Sequence, residues 1–219
     1  MILLILAAQA ATLGAANYSV SGPMPAPKGK PSFADEFDGK AITRPNGAST
    51  SRAMSKAKLV SREPRGYGIY EVRAKLPCGR GSWPAVWLLP SGGTWPDEGE
   101  LDMMEMVGWD AGIVHATVHS GAFNHVKGTQ RGAQARIATA CTAYHRYQLD
   151  VITIGVDGHA IMRVANDQPG GKAAWPFTRP YDVILNLAVG GDWGGQKGID
   201  DGAFPQRMAV DYVRYWRLR

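Results

Sequence analysis

The sequence predicts an all-β protein, a sandwich or barrel of short strands, and three observations carry that prediction. Apolar residues recur with period two along much of the chain, the spacing of a half-buried strand. Turn formers separate those stretches, with 27 glycines and 14 prolines among 219 residues. No stretch shows a long stripe with the 3.6-residue period of a helix. One all-β domain of this length is ordinary. Hydrophobic residues at 45% and charged residues at 20% exclude a disordered chain and a coiled coil.

Taken in order, the chain opens with Met1–Ala16, which carries no charged side chain. The apolar run Ile2–Leu6 is followed by small residues at Ala8-Gln9-Ala10 and Gly14-Ala15-Ala16, either of which suits signal peptidase. We read residues 1–16 as a cleaved export signal, which makes the mature protein secreted or periplasmic. The alternative is a short buried strand or a membrane anchor. The Pro/Gly run from Gly22 to Pro31 reads as a linker over 17–31, leaving 32–219 as one folded domain. Tyr70–Leu76 alternates apolar and charged residues and reads as a strand. Ile152–Gly158 reads as a strand running into an Asp-Gly turn. Val183–Val189 is almost wholly apolar and reads as a central strand covered on both faces. Met208–Trp216 reads as a final strand.

Composition narrows function as well. The net charge is +5, but Lys and Arg are scattered, so no nucleic-acid partner is expected. Past the signal no apolar run is long enough to cross a bilayer, and nothing calls for a second subunit, so a monomer is expected. Cys78 and Cys141 are the only cysteines and form no CxxC pair, which excludes zinc-ribbon and thioredoxin-like motifs. Spacing leaves open whether they join in a disulfide or stay two buried thiols.

The densest acidic cluster is Asp97-Glu98-Gly99-Glu100-Leu101-Asp102-Met103-Met104-Glu105-Met106, flanked by Trp83, Trp87, Trp95 and Trp109. A solvated acidic face would not carry so much Met and Leu. On a strand Glu100 and Asp102 share a face, while Glu105 falls at an odd offset. A β-bulge in the Met103-Met104 region would return all three to one face. Three crowded carboxyls repel one another and raise a pKa, which is what glycoside cleavage needs: one protonated donor and one ionised attacker. The rivals are a metal site or a charged strand edge. Met and Leu filling is unlike a hard-metal loop.

Residues Gly99–Gly108 resemble the active-site strand of family 16 glycoside hydrolases, in the bulged form typical of the laminarinase-like branch. Four further segments resemble that family in the same order. They are Ala34–Gly39, Tyr67–Pro77 with Trp83–Leu89, Ile184–Gly191 and Val210–Arg214. The resemblance implies a β-jelly-roll sandwich of two curved antiparallel sheets, the concanavalin A-like lectin and glucanase fold, with an open cleft on the concave face. It implies Glu100 as nucleophile, Asp102 as assisting carboxylate and Glu105 as acid/base. Trp87 and Trp95 match tryptophans that stack on sugars, with Trp83 a further candidate for the cleft or for the core. Asn186 resembles a cleft asparagine that bonds the sugar. His119, on the polar face of Ile113–His119, is a candidate sugar hydrogen-bonder, with a structural histidine as the alternative. A zinc pair with His115 is rejected because same-face positions four apart on a strand lie about 13 Å apart. The resemblance also implies a structural calcium on the convex side near Glu36 and Asp211, against the alternative of two surface acids, and no cofactor for catalysis. One departure is clear. The family places several strands between Gly39 and Tyr67, where this chain has only the short Ser-, Ala-, Lys- and Arg-rich run Lys40–Gly66.

The implied activity is endo-hydrolysis of β-1,3-glucan or mixed β-1,3/1,4-glucan through a glycosyl-enzyme, with polysaccharide as the partner. The alternatives are the same machinery on a galactan or bacterial exopolysaccharide, interception of the intermediate by sugar, and a non-catalytic glucan-binding protein. The last lacks catalytic glutamates among the relatives, whereas all three acids stand here.

Overall fold

The computed structural model describes residues 18–37 and 57–218, and the expected export signal and most of the Lys40–Gly66 run lie outside them. Twelve strands, labelled in chain order, form two antiparallel sheets among the described residues. The first sheet runs β1 (Phe33–Asp35), β12 (Ala209–Arg217), β3 (Gly68–Lys75), β8 (His145–Asp150), β9 (Thr153–Val156) and β10 (His159–Arg163). The second runs β2 (Ala57–Val60), β11 (Asp182–Val189), β4 (Ser82–Leu89), β5 (Glu100–Glu105), β6 (Ile113–His119) and β7 (Arg131–Arg136). Among the described residues the α-helix is reduced to one turn, α1 (Gly191–Gly194). This is the two-layer all-β architecture that the alternation predicts.

The inward residues of both sheets meet in one core. Val72, Ala74, Tyr147, Leu149 and Ile154 come from the first sheet, and Val86, Leu88, Leu101, Met103, Met104, Val114, Ala116 and Val118 from the second. The Asp157-Gly158 turn joins β9 to β10 with both residues at positive φ (53° and 85°), the two-residue hairpin that Asp-Gly favours. In β11 the odd residues Val183 and Leu185 enter the core. On the other face Ile184 is buried while Asn186 and Ala188 are half-buried, and Asn186 stands beside Trp87 of β4. The continuous apolar run therefore reflects a central strand buried on both faces over Val183–Leu185 and half-buried from Asn186 onward.

Two sequence readings are resolved. Cys78 follows β3 and Cys141 precedes β8, which are neighbouring antiparallel strands, and the two form a disulfide with Cα atoms 5.8 Å apart. The Pro/Gly segment does not behave as a free linker. Tyr18–Met24 lies along β10, with Val20 N donating to Ile161 O, Met24 N to Gly158 O, and Ala160 N to Gly22 O. Met24 is buried against Gly155, where any Cβ would fall 2.6 Å from its Cγ and Sδ. Met24 is the buried anchor of this docked edge, and Tyr18 packs against the core at its other end.

Candidate active site

The site is built on β5 and its neighbours, on the face turned away from the core. β5 pairs with β4 through Val86↔Met104 and Trp87↔Asp102, so Met103 is the extra residue of a β-bulge. Met103 and Met104 are both fully buried. The bulge absorbs the odd offset, and Glu100, Asp102 and Glu105 emerge on one face, opposite His119, Thr117 and His115 of β6. Just before the strand, Gly99 sits at φ +82°, and a Cβ there would meet Phe177 at 2.6 Å and the Tyr181 hydroxyl at 2.8 Å. Tyr181 also donates to the Glu98 carbonyl, and the Glu98 carboxylate takes Lys172 and Arg179 at 2.6 and 3.0 Å, which fixes the loop carrying Trp95.

Each glutamate is held by an indole. Trp83 Nε1 donates to Glu105 Oε1 at 3.0 Å, and Trp95 Nε1 donates to Glu100 Oε2. Trp83 thus belongs to the site rather than the core. Behind it, Trp193 of α1 packs edge-on at 5.6 Å and also meets His115 at 4.8 Å, while Trp109 Nε1 donates to the Trp193 carbonyl. Around Trp95, His125 lies at 4.9 Å and 33°, and His119 at 5.9 Å.

Burial raises all three carboxyls, and their partners then separate them. Glu100 is raised by burial but drawn back by hydrogen bonds from Asp102 and Trp95. Asp102 is held well above the usual carboxylate range by burial, then by the charges of Glu100 and Glu105 and by the bond it gives Glu100. Glu105 is pushed up to about 7, mainly by burial, against one pull downward from Trp83. Glu100 therefore accepts two donors and is the better anion, while Glu105 keeps its proton near neutrality. Unequal environments of this kind suit one carboxyl to stay ionised and the other to give a proton.

The remaining expected residues divide. Trp87 Nε1 donates to Asn186 Oδ1 at 2.7 Å, so the amide N–H groups are what Asn186 offers a sugar. Lys58 on β2 stands 5.2 Å over the Trp87 ring. Trp95 is less free as a stacking platform than expected, since His125 occupies part of its surroundings. His119 is buried beside the acids, with Nε2 3.4 Å from Asp102 Oδ2, and burial lowers its pKa to about 4, so the ring is neutral at neutral pH. Sequence reasoning missed His125 and Trp193. The only signal for Trp193 was its position between glycines in Gly190–Gly195, and His125 carried none.

Glu36 and Asp211 do not fit a calcium. Glu36 takes a two-pronged contact from Arg214, with both distances 2.9 Å, and Asp211 pairs with Arg73. Both carboxylates are already neutralised by arginine. Among the described residues no group of three or more His, Cys, Asp or Glu side chains is placed to hold a metal ion.

The sequence profile of glycosyl hydrolases family 16 matches residues 32–214. A beta-glucanase of Rhodothermus marinus is 45% identical over 181 residues, covering 76% of this chain and 63% of the relative. A keratan-sulfate endo-1,4-beta-galactosidase of Sphingobacterium multivorum is 36% identical over 160 residues, covering 69% and 37%. The chain thus spans less than two thirds of the length of these relatives. A crystal structure of a variant of SCLam, a non-specific endo-beta-1,3(4)-glucanase, superposes with a TM-score of 0.81 at 36% identity, covering 92% of this chain and 100% of the other. With its bulged strand of three acids and a profile match along most of its length, the chain belongs to glycosyl hydrolases family 16.

Proposed function

We propose that the protein is an exported, endo-acting, retaining hydrolase of β-1,3-glucan or mixed β-1,3/1,4-glucan. The observation that carries the reading is the placing of Glu100, Asp102 and Glu105 on one face of β5, with an indole N–H bonded to each glutamate. Glu100, as carboxylate, attacks the anomeric carbon while Glu105 gives its proton to the leaving oxygen, and a glycosyl-enzyme ester forms. Esterification removes the Glu100 charge, so the Glu105 pKa falls and Glu105 takes a proton from the water that opens the ester. Retention requires carboxyls about 5–5.5 Å apart, without room for a water behind the sugar. Two long glutamate side chains on one face of β5, with Asp102 between them, have the reach to meet that demand. The Cys78–Cys141 disulfide supports an oxidising compartment, in keeping with the export signal.

A reducing-sugar assay on laminarin, lichenan, agarose and succinoglycan tests the substrate, with the largest rate expected on laminarin or lichenan. Glu100→Ala and Glu105→Ala should each lower that rate by at least about 10²–10⁴-fold with an unchanged circular-dichroism spectrum. Proton NMR in the first minutes should detect the β-anomer. A first-formed α-anomer would overturn the roles of both glutamates. A second reading, an anionic or galactose-based polymer, is favoured by Lys58 beside Trp87 and by the galactosidase relative, and a preference for agarose or succinoglycan would establish it.

A further inference from the structure

We propose that His125 is a positioning residue for the nucleophile, fixing the Trp95 indole from which Glu100 accepts its hydrogen bond. The inference rests on the glycosidase reading of Glu100.

The two ends of β5 are built alike. At the Glu105 end the indole donor Trp83 is backed by Trp193, which itself leans edge-on against His115. At the Glu100 end the indole donor Trp95 is flanked by His119 from β6, and the place that Trp193 fills at the other end is taken by His125. The His125 ring lies at 33° to Trp95 and stands edge-on to His119, 5.2 Å away at 89°. It thus touches both residues that contact the acids of this half: Trp95 on Glu100, and His119 beside Asp102.

A surface histidine contributes to positioning only if its own backbone is fixed. Here Asn124, 1% exposed, ties the turn down. Its Nδ2 donates to the Ser120 carbonyl at 3.0 Å, its Oδ1 accepts from Lys127 N, and its own N–H reaches Thr129 Oγ1. Lys127 Nζ donates to the Gly121 carbonyl. The next residue, Val126, is 74% exposed and has no such role. Without His125, Trp95 loses the ring on its cleft-loop side and can turn its N–H away from Glu100. Misplacement of a reacting group by about 1 Å costs on the order of 10²-fold in rate.

The test uses the whole chain with His125→Ala, His125→Phe and Val126→Ser. The first readout needs no substrate: the indole N–H resonance of Trp95, assigned with Trp95→Phe. It should shift in His125→Ala, return toward its native position in His125→Phe, and stay in place in Val126→Ser. The second readout is kinetic, on the best polysaccharide of the panel. His125→Ala should lose about 10–100-fold in kcat with KM changed less than about threefold, and His125→Phe should recover most of the loss. An unmoved Trp95 resonance in His125→Ala would overturn the proposal. So would a rise in KM at constant kcat, which would make His125 a sugar contact, or a Phe variant as impaired as the Ala variant. If no polysaccharide is hydrolysed, the substrate reading fails while the Trp95 resonance still decides this one.

Discussion

Burial raises both glutamates and an indole N–H draws each of them partly back, and this gives the site a defined pH response. Because Glu105 must be protonated to act as acid, hydrolysis should fall as pH rises through about 7. The Trp83 bond favours the charged form of Glu105, so Trp83→Phe should move that alkaline limb upward while lowering kcat, as a pH–rate series would reveal. Stability responds too. The folded Glu105 holds its proton from the ordinary 4.5 up to about 7, where the unfolded chain has lost it, so this group makes stability fall as pH rises across that window. Its weight is on the order of 3 kcal/mol, and Glu105→Gln should flatten the slope of the urea midpoint against pH. His119 acts in the opposite sense. Its folded pKa near 4 lies below 6.5, so its contribution is lost as pH falls from 6.5 toward 4. At this scale the three acids were legible in the sequence because carboxyls set among methionines and leucines suit neither a solvated face nor a hard-metal loop. His125 and Trp193 were not, since each reaches the site from a loop and only tertiary contact brings it there.

The decisive element is β5, and its bulge makes an unusual length prediction. Deleting Met103 would restore plain alternation, leaving Glu100, Asp102 and the shifted Glu105 still on one face. Inserting one alanine after Met103 would also make the offset even, but it would carry Glu105 one same-face place further from Asp102 and out of register with its partners on β4 and β6. The deletion variant should therefore fold with a lowered melting temperature, having lost one fully buried methionine at a cost of about 2–5 kcal/mol, and keep more activity than Glu105→Ala. The insertion variant should be inactive. Parallel melting curves and laminarin assays separate these outcomes. The bulge was readable because an odd spacing between carboxyls needs one. The change along β11 from buried to half-buried at Asn186 was not, because an apolar run does not say where its cover ends. Nor did alternation reveal that Trp83 serves the site, since one residue of register decides between core and cleft.

For the molecule as a whole, the disulfide and the N-terminal segment set the limits of the folded unit. Cys78 and Cys141 are separated by 63 residues, and closing a loop of that size contributes about 4 kcal/mol in the chain-entropy picture. Reduction, or Cys78→Ala with Cys141→Ala, should lower the melting temperature by about 10 °C, measured by calorimetry with and without dithiothreitol. Sequence left that pairing open because it gives no Cα separation, and it read Gly22–Pro31 as linker because composition does not reveal the seat that Gly155 makes for Met24. That seat has a consequence for solubility. Tyr18–Met24 occupies the outer backbone groups of β10, donating to Ile161 and Gly158 and accepting from Ala160 and Arg163. Were a protease to trim the chain to Ser32, β10 would present a bare row of amides and carbonyls beside an emptied apolar socket. Exposed sheet edges of that kind recruit strands from other molecules. The trimmed protein would keep every catalytic side chain and yet be prone to pair edge to edge, so the segment read as a tether serves as a guard against self-association.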